Sequence, residues 1–403
     1  MTDAQGEMQA PVPPRRRSRT VLVAVLVISG LLLGCCLSVA VGIRWAKRNW
    51  FPAREDYAAI REPMIPSAKM IANGTGFSVS AAADGRLLAW TPTTSLESTS
   101  GFLGSMVSTP VVISPDRGWK AVTAGHYHAV ALKADGTMWG WGGNGNGQVG
   151  DGTNVTRTTP VRIGEGNGWV EASAEGSHSV ALRSDGTLWS WGVNDSGQLG
   201  SGDTTGADVP TRIGSAADWA HATSMPGGIS AVKSDGSLWA CGADADGLSW
   251  AGPSADKTLL TRIGTDSDWA AVAGAFALKR DGSLWTYPYV QGRWSGPATR
   301  GLPTRIGREA GFTSASTGAG QSVAVKSNGT LWAWGLMDEV FELLGAPAPV
   351  QVVGAEGGWA SVAADPIGHT RNYAIKSDGS VWRVGFGKNH GFPQEGQAQP
   401  KSR

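Results

Sequence analysis

The chain has 403 residues, with 34 basic and 33 acidic side chains and a formal net charge of +1. That balance supplies no global field for nucleic acid or an anionic surface. Its 58 glycines and 19 tryptophans exclude a disordered chain and point to many tight turns with recurring aromatic anchors.

Residues 1–19 read as a polar, basic, disordered tail that ends in Arg15, Arg16, Arg17 and Arg19. The uncharged run TVLVAVLVISGLLLGCCLSVAVGI, residues 20–43, follows. At 1.5 Å per residue it exceeds the ~30 Å hydrocarbon core as a helix. Trp45 and Trp50 lie where an interfacial aromatic belt belongs. Three readings of the run stay open: a retained transmembrane signal anchor, a lipoprotein signal with Leu32-Leu33-Gly34-Cys35 as its lipobox, and a cleaved signal peptide. The length of the run past Cys35 favours the anchor. Basic residues flank both sides, and the tight cluster before the run reads as an export n-region. The expected topology is a cytoplasmic N-terminus with the body of the protein outside the cell membrane. Residues 44–62 read as a juxtamembrane linker, residues 63–390 as the folded body and residues 391–403 as a flexible tail.

The body repeats. Asp-Gly or Asn-Gly occurs at 84, 135, 185, 235, 281, 328 and 378, at spacings of 51, 50, 50, 46, 47 and 50 residues. Each lies between period-two apolar runs, such as Val180 to Arg183 before and Thr187 to Trp191 after, which predicts a two-residue type I′ hairpin. A Trp follows the Asp or Asn by four residues in six copies, at 139, 189, 239, 285, 332 and 382; Leu88 stands there in the first copy. Another Trp precedes most turns by sixteen residues, at 119, 169, 219, 269 and 359, with Phe312 in the sixth unit and Ala68 in the first. A Pro-Val-Arg-Ile-Gly variant comes before it, as at 160–164 and 210–214.

Seven units of about four short strands cannot each bury their own apolar faces, and radial closure solves this. The expected fold is all-β, a seven-bladed β-propeller preceded by one N-terminal transmembrane helix. Fifteen of the nineteen tryptophans hold repeat positions, so Trp here packs units together. The last unit lacks its own Pro-Val-Arg-Ile strand. Pro63-Met64-Ile65 is the expected donor that fastens the ring.

Units two and three carry the fullest pattern. Unit three has Trp169, His178, Ala181-Leu182, Asp185-Gly186, Trp189, Trp191-Gly192, Asn194 and Gly197-Gln198-Leu199-Gly200. This pattern resembles the regulator of chromosome condensation repeat over about residues 67–390, and is specific in units two and three. The resemblance implies the propeller scaffold. It also brings two activities of such proteins into view: nucleotide exchange on a small GTPase, and inhibition of β-lactamases by secreted bacterial propellers. Fold alone decides between neither.

No metal or cofactor site is expected. His128 and His178 hold repeat positions, and the other four histidines are scattered. There is no His-Glu-x-x-His, no Cys/His cluster and no nucleophile paired with a base, so the chain reads as a non-enzyme. Gly142 to Gly150 looks like a phosphate loop but lacks the Lys-Ser/Thr end, and its counterpart at 192–200 marks it as a blade turn. The departure from the repeat lies at 286–295, where Tyr287, Tyr289, Arg293 and Trp294 replace Gly and Asn. These residue types are enriched in interface hot spots, and packing within a diverged blade is the competing reading. The Ser/Thr-rich loop 91–106, with Phe102 and Leu103, is a second, weaker candidate.

The expected function is non-catalytic binding, by a monomeric membrane-anchored propeller, of a protein or cell-surface ligand through loops on one face. The alternatives are exchange on a small GTPase if the propeller is cytoplasmic, inhibition of an exported enzyme, and a hydrolase in the central channel. The last needs convergent carboxylates or histidines on the inner strands, where Gly, Ala, Ser and Val predominate.

Overall fold

The computed structural model describes residues 57–386, apart from 60–67, 76, 83, 91–109, 244–256, 287–288, 291–292, 295–301, 318–320, 336–348, 353–356 and 365–371. The apolar run 20–43 and the loop 91–106 lie outside the described residues. Among the described residues no helix is long and apolar enough to cross a membrane.

Seven four-stranded antiparallel sheets form a β-propeller. In blade 2 the strands are Trp119–Ala124, His128–Lys133, Met138–Gly142 and Arg157–Arg162, hydrogen-bonded in sequence order. Blade 3 repeats this with Trp169–Glu175, His178–Arg183, Leu188–Gly192 and Ala207–Arg212. The Pro-Val-Arg-Ile segment is thus the fourth strand of the blade before the Gly-Trp it precedes. The first strands of neighbouring blades contact one another around the whole ring, which places them at the axis. The fourth strands of blades 2 and 3 have only half-buried and exposed positions, as an outer edge does.

Closure comes from the N-terminal side, as the missing seventh-unit strand requires. The described pairing is made by Tyr57–Ala59, against Val384 to Phe386 of the last strand. Pro63–Ile65, the expected donor, lie outside the described residues; the described pairing is made by residues on their N-terminal side. The reason lies in strand length. In blades 2 and 3 the fourth strand runs six residues, and its first residue pairs with the Gly that ends the third strand, as Arg157 does with Gly142. Tyr57–Ala59 fill that outer half in blade 7.

Seven hydrophobic clusters hold the ring, each spanning two adjacent blades. One joins Val180, Leu182 and Leu188 of blade 3 to Trp219, Ala222 and Ile229 of blade 4. Another joins Ile71, Leu88 and Trp90 of blade 1 to Tyr373, Ile375 and Val381 of blade 7. The core is therefore distributed between blades, which is why no unit stands alone.

The Asp-Gly turns differ from the two-residue expectation. Gly136 N donates to Lys133 O and Lys133 N donates to Thr137 O, both at 3.0 Å, which makes a three-residue loop, Ala134-Asp135-Gly136, ending in a positive-φ glycine. Gly136 has φ 78°, and a Cβ there would lie 2.7 Å from the Gly168 nitrogen of the neighbouring blade. Glycine is thus fixed twice, by backbone and by neighbour. Asp135 Oδ1 accepts from Thr137 N and its hydroxyl, and that hydroxyl accepts from Trp139 Nε1. The Trp139 ring meets Trp119 edge to face at 5.9 Å, and the Lys133 ammonium lies 4.7 and 4.3 Å from the two ring centres. The same Trp/Phe, Lys/Arg and Asp/Asn-Gly-Thr/Ser unit recurs in blades 3 to 7.

Candidate functional site at the channel and its loop end

Each blade has two ends. The Asp-Gly turns and the links into the next blade share one end. The turns between first and second strands, and the connections from third to fourth, share the other, here the loop end. Between them runs the axial channel that the first strands surround.

Small hydroxyl side chains at the axis tie blade to blade. Thr123 Oγ1 accepts from Ala174 N, Ser173 Oγ from Ser224 N and Thr223 Oγ1 from Gly274 N, each at 3.0 Å; Ser316 Oγ accepts from Ala364 N at 2.9 Å. Asn73 Nδ2 closes the circuit by donating to Ala363 O and Ala364 O of blade 7. These contacts satisfy backbone groups that would otherwise face a narrow channel.

Against that background two carboxylate–imidazole pairs stand out, both on the first strand of blade 3. His126 Nε2 of blade 2 lies 3.7 Å from Glu175 Oε1, and His221 Nδ1 of blade 4 lies 3.6 Å from Glu171 Oε2. Burial pushes the Glu175 carboxyl up to about 7, against the pull of the Gly176 N–H, and burial holds His126 below the usual imidazole range. His221 is shifted the other way, raised chiefly by its hydrogen bond to Glu171. Tyr127, 42% exposed, stands edge-on to His126 at the channel mouth.

Sequence reasoning missed these four residues, because each is scattered when read along the chain. Aligning the first strands reveals them. Ala121, Glu171 and His221 share one register, as do Gly125, Glu175 and Met225. Glu171 and Glu175 are therefore acids where blade 2 carries Ala121 and Gly125 and blade 4 carries His221 and Met225. They bring carboxylates and histidines to the inner strands. Among the described residues no group of three or more His, Cys, Asp or Glu could hold a metal ion.

The repeat histidines are structural, as expected. His128 is buried, bonds Ser179 Oγ at 2.8 Å across the blade interface, and is held neutral by burial down to about 3. His178 bonds Gly228 O at 2.9 Å and is pulled down to about 4.

At the loop end, blades 2 and 3 close their third-to-fourth connections into asparagine-centred knots. Asn194 Oδ1 accepts from Leu199 N, while its Nδ2 donates to Asp203 O and Thr205 O. Asn144 does the same with Val149 N and Thr153 O. The knot of one blade braces the next: Trp191 Nε1 of blade 3 donates to Gln148 O of blade 2 at 2.9 Å. Cys241 of blade 4 takes the corresponding place against Gln198 O, which accounts for that lone buried thiol. The phosphate-loop lookalike is thus a blade connection.

Blade 5 is built otherwise. Between its third strand, Leu284–Thr286, and its fourth, Thr304–Arg305, it inserts a two-stranded hairpin in which Tyr289 pairs with Trp294 and Val290 with Arg293. Three of the four expected partner residues, Tyr289, Arg293 and Trp294, lie on this hairpin; Tyr287 lies outside the described residues. The backbone places the insertion at the loop end and gives it its own strand pairing.

The sequence of blades 2 to 4 matches known repeats. Residues 119–148, 135–182 and 185–225 match the regulator of chromosome condensation (RCC1) repeat. These matches lie within residues 119–225. The likeness in fold extends well beyond those blades. Human WBSCR16 superimposes with a TM-score of 0.60 at 18% identity, over 79% of this chain and 87% of that one. Yeast RCC1 (Prp20), in a complex with Kap60, superimposes with a TM-score of 0.58 at 18% identity, over 80% and 81%. Prp20p from Saccharomyces cerevisiae, described together with its binding to Gsp1p and histones, does so at 0.56 and 18%, over 78% and 82%. No curated protein matches the sequence. The likeness to these propellers is one of fold.

Proposed function

We propose that this RCC1-repeat propeller is a non-catalytic protein-binding module, tethered to the cell membrane by residues 20–43 with the propeller outside, and that its loop end does the recognition. The observation that carries this reading is the blade 5 hairpin. Where blades 2 and 3 close the connection with a knot that spends its polar groups on its own backbone, blade 5 presents an inserted hairpin of Tyr, Arg and Trp composition. A ring fixed by seven interblade clusters offers such a loop at low ordering cost, which favours binding. Inhibition of an exported enzyme is one form this binding would take.

Two experiments test the reading. A reporter active only outside the cytoplasm, fused after Arg403, should give signal; a signal from a cytoplasmic reporter instead would overturn the topology. A photo-crosslinking residue at Tyr289, with a control at the exposed Ser184 on the turn end, should give a discrete protein adduct in cells from the hairpin only. Adducts from neither position, or equally from both, would remove the hairpin from the recognition surface.

The second reading is nucleotide exchange on a small GTPase. It is favoured by the fold shared with Prp20p, a protein described with its binding to Gsp1p. It requires a cytoplasmic propeller, so the topology reporter separates the two readings before any exchange assay is run.

A further inference from the structure

The pairs His126–Glu175 and Glu171–His221 join blade 3 to its two neighbours at the axis. They are the His–carboxylate contacts among the described ion pairs, and both fall on one strand, Trp169–Glu175. All four side chains are partly open to the channel, from 28% exposed at Glu175 to 46% at His126.

The surroundings determine what these groups do. The charged residues on the strands packed against blade 3's first strand are Lys120, Lys133 and Arg183. All three sit at the turn end: Lys120 is exposed, Lys133 is held between Trp119 and Trp139, and Arg183 lies over Trp169 and Trp189. The imidazoles His128 and His178, on the second strands of blades 2 and 3, are buried and neutral. The remaining neighbours facing the pairs are Ala121, Thr123 and Thr223, with the Ala222 N–H donating to Glu171 Oε2 at 3.3 Å and the Gly176 N–H beside Glu175. No Lys or Arg among the described residues is placed against either carboxylate.

We propose that the inner wall of blade 3 is a proton-operated charge switch. As the pH falls through neutrality Glu175 gains a proton and His221 becomes the cation paired with Glu171. The wall becomes less negative, and the contact between blades 3 and 4 gains an ion pair. A partner seated at the mouth beside Tyr127 meets a different charge on either side of neutrality.

The signs of the two changes can be worked out. Glu175 titrates at about 7 in the fold and near 4.5 when unfolded, so its ionisation costs stability increasingly as the pH rises between those values. His221 is raised in the fold, so its contribution is present below its unfolded value and is lost as the pH rises through the folded one. The whole chain's acid response is set mainly by the buried, neutral His128 and His178, whose pKa values are depressed in the fold and whose protonation when unfolded removes stability as the pH falls below about 6.5. The switch therefore shows in differences between variants rather than in the wild-type curve.

The test measures melting temperatures of the full chain in detergent micelles at pH 8 and pH 5.5. Glu175→Gln mimics the protonated acid, so it should melt about 3 °C above wild type at pH 8, about 1 °C above it at pH 5.5 and level with it only below about pH 4.5. His221→Gln should show the opposite trend, with a deficit of about 1–3 °C at pH 5.5 that shrinks by pH 8. A gap independent of pH for either variant overturns the switch. If a variant does not fold, carbon-13 NMR of the wild-type glutamate carboxyls decides: a Glu175 titration midpoint below pH 5.5 refutes the proposal, and one between pH 6 and 8 supports it.

Discussion

The two ends of the blades obey different rules. At the turn end, six blades repeat one unit with little variation: an Asp/Asn-Gly loop, a hydroxyl, two aromatic rings and a Lys or Arg between them. In blades 2 to 6 the glycine carbonyl of this loop accepts from the first-strand backbone of the next blade, as Gly186 O does from Trp219 N at 3.1 Å. At the loop end the blades diverge, from the asparagine knots of blades 2 and 3 to the inserted hairpin of blade 5. The turn end serves two blades at once, so a change there is felt twice. The blade 5 hairpin, which pairs within itself, can change alone, whereas the knots of blades 2 and 3 also brace the next blade. Divergence is tolerated where the interblade accounts are already settled by the other end.

The largest expected effect breaks the turn end. Trp219 is 7% exposed, packs in the cluster between blades 3 and 4, and meets Trp239 edge to face at 5.9 Å. Trp219→Ala should cost about 3–5 kcal/mol and be read as a loss of denaturation midpoint in guanidinium. A loss below about 1 kcal/mol would mean that the turn end is no more critical than the loops. Next in size is removal of Tyr57–Ala59. This strand completes blade 7 with three residue pairs, and without it the edge Val384–Phe386 is left unpaired. The deletion should lower the midpoint by an amount equal to about 2–3 kcal/mol, near three net backbone hydrogen bonds. An unchanged curve would show that the ring does not depend on this closure.

How much of this was legible follows from how far each feature reaches. The repeat period, the four strands per unit and the Trp positions are local and recur, so the sequence displays them seven times over. The structural histidines His128 and His178 were readable for the same reason. Ring closure was readable only as a need: Tyr-Ala-Ala carries no motif, and its partner lies more than 300 residues away, from Tyr57 to Phe386. The turn type was misread because Asp-Gly satisfies both a two-residue and a three-residue loop, and the choice rests on the extra residue before the Asp, such as Ala134. The channel acids Glu171 and Glu175 were not read, since their partners come from other units. A contact between His126 and Glu175 is an offset of one period less one residue, invisible until the strands are stacked in register.

A smaller effect sharpens the comparison within the loop end itself. Asn194 is 1% exposed and is the hub of the blade 3 knot. Asn194→Ala leaves Leu199 N without its acceptor and the carbonyls of Asp203 and Thr205 without their donor. The expected cost is about 1–3 kcal/mol, the range for buried polar groups left unmade. Because Leu199 O also accepts from Ser190 Oγ and the knot presents Gln198 O to Cys241, hydrogen exchange should speed up in blade 4 as well as in blade 3. Faster exchange confined to residues 193–206 would show that the knot supports only itself.

The smallest expected effect on stability is the one that matters most for function. Replacing residues 287–294 with a short Gly-Asn-Gly connection removes the blade 5 hairpin. The hairpin pairs within itself, Tyr289 with Trp294 and Val290 with Arg293, and stands apart from the blade's own four-stranded sheet. Little of the ring depends on it, and the midpoint should move by no more than about 0.5 kcal/mol, as for loop changes away from packed features. The same replacement should abolish the protein adducts formed by a crosslinker placed at the loop end of blade 5, for instance at Thr304. A large loss of stability would instead assign the hairpin to the packing of a diverged blade. Undiminished adducts in a stable protein would move recognition to another part of the loop end, with the channel mouth at Tyr127 the next place to probe.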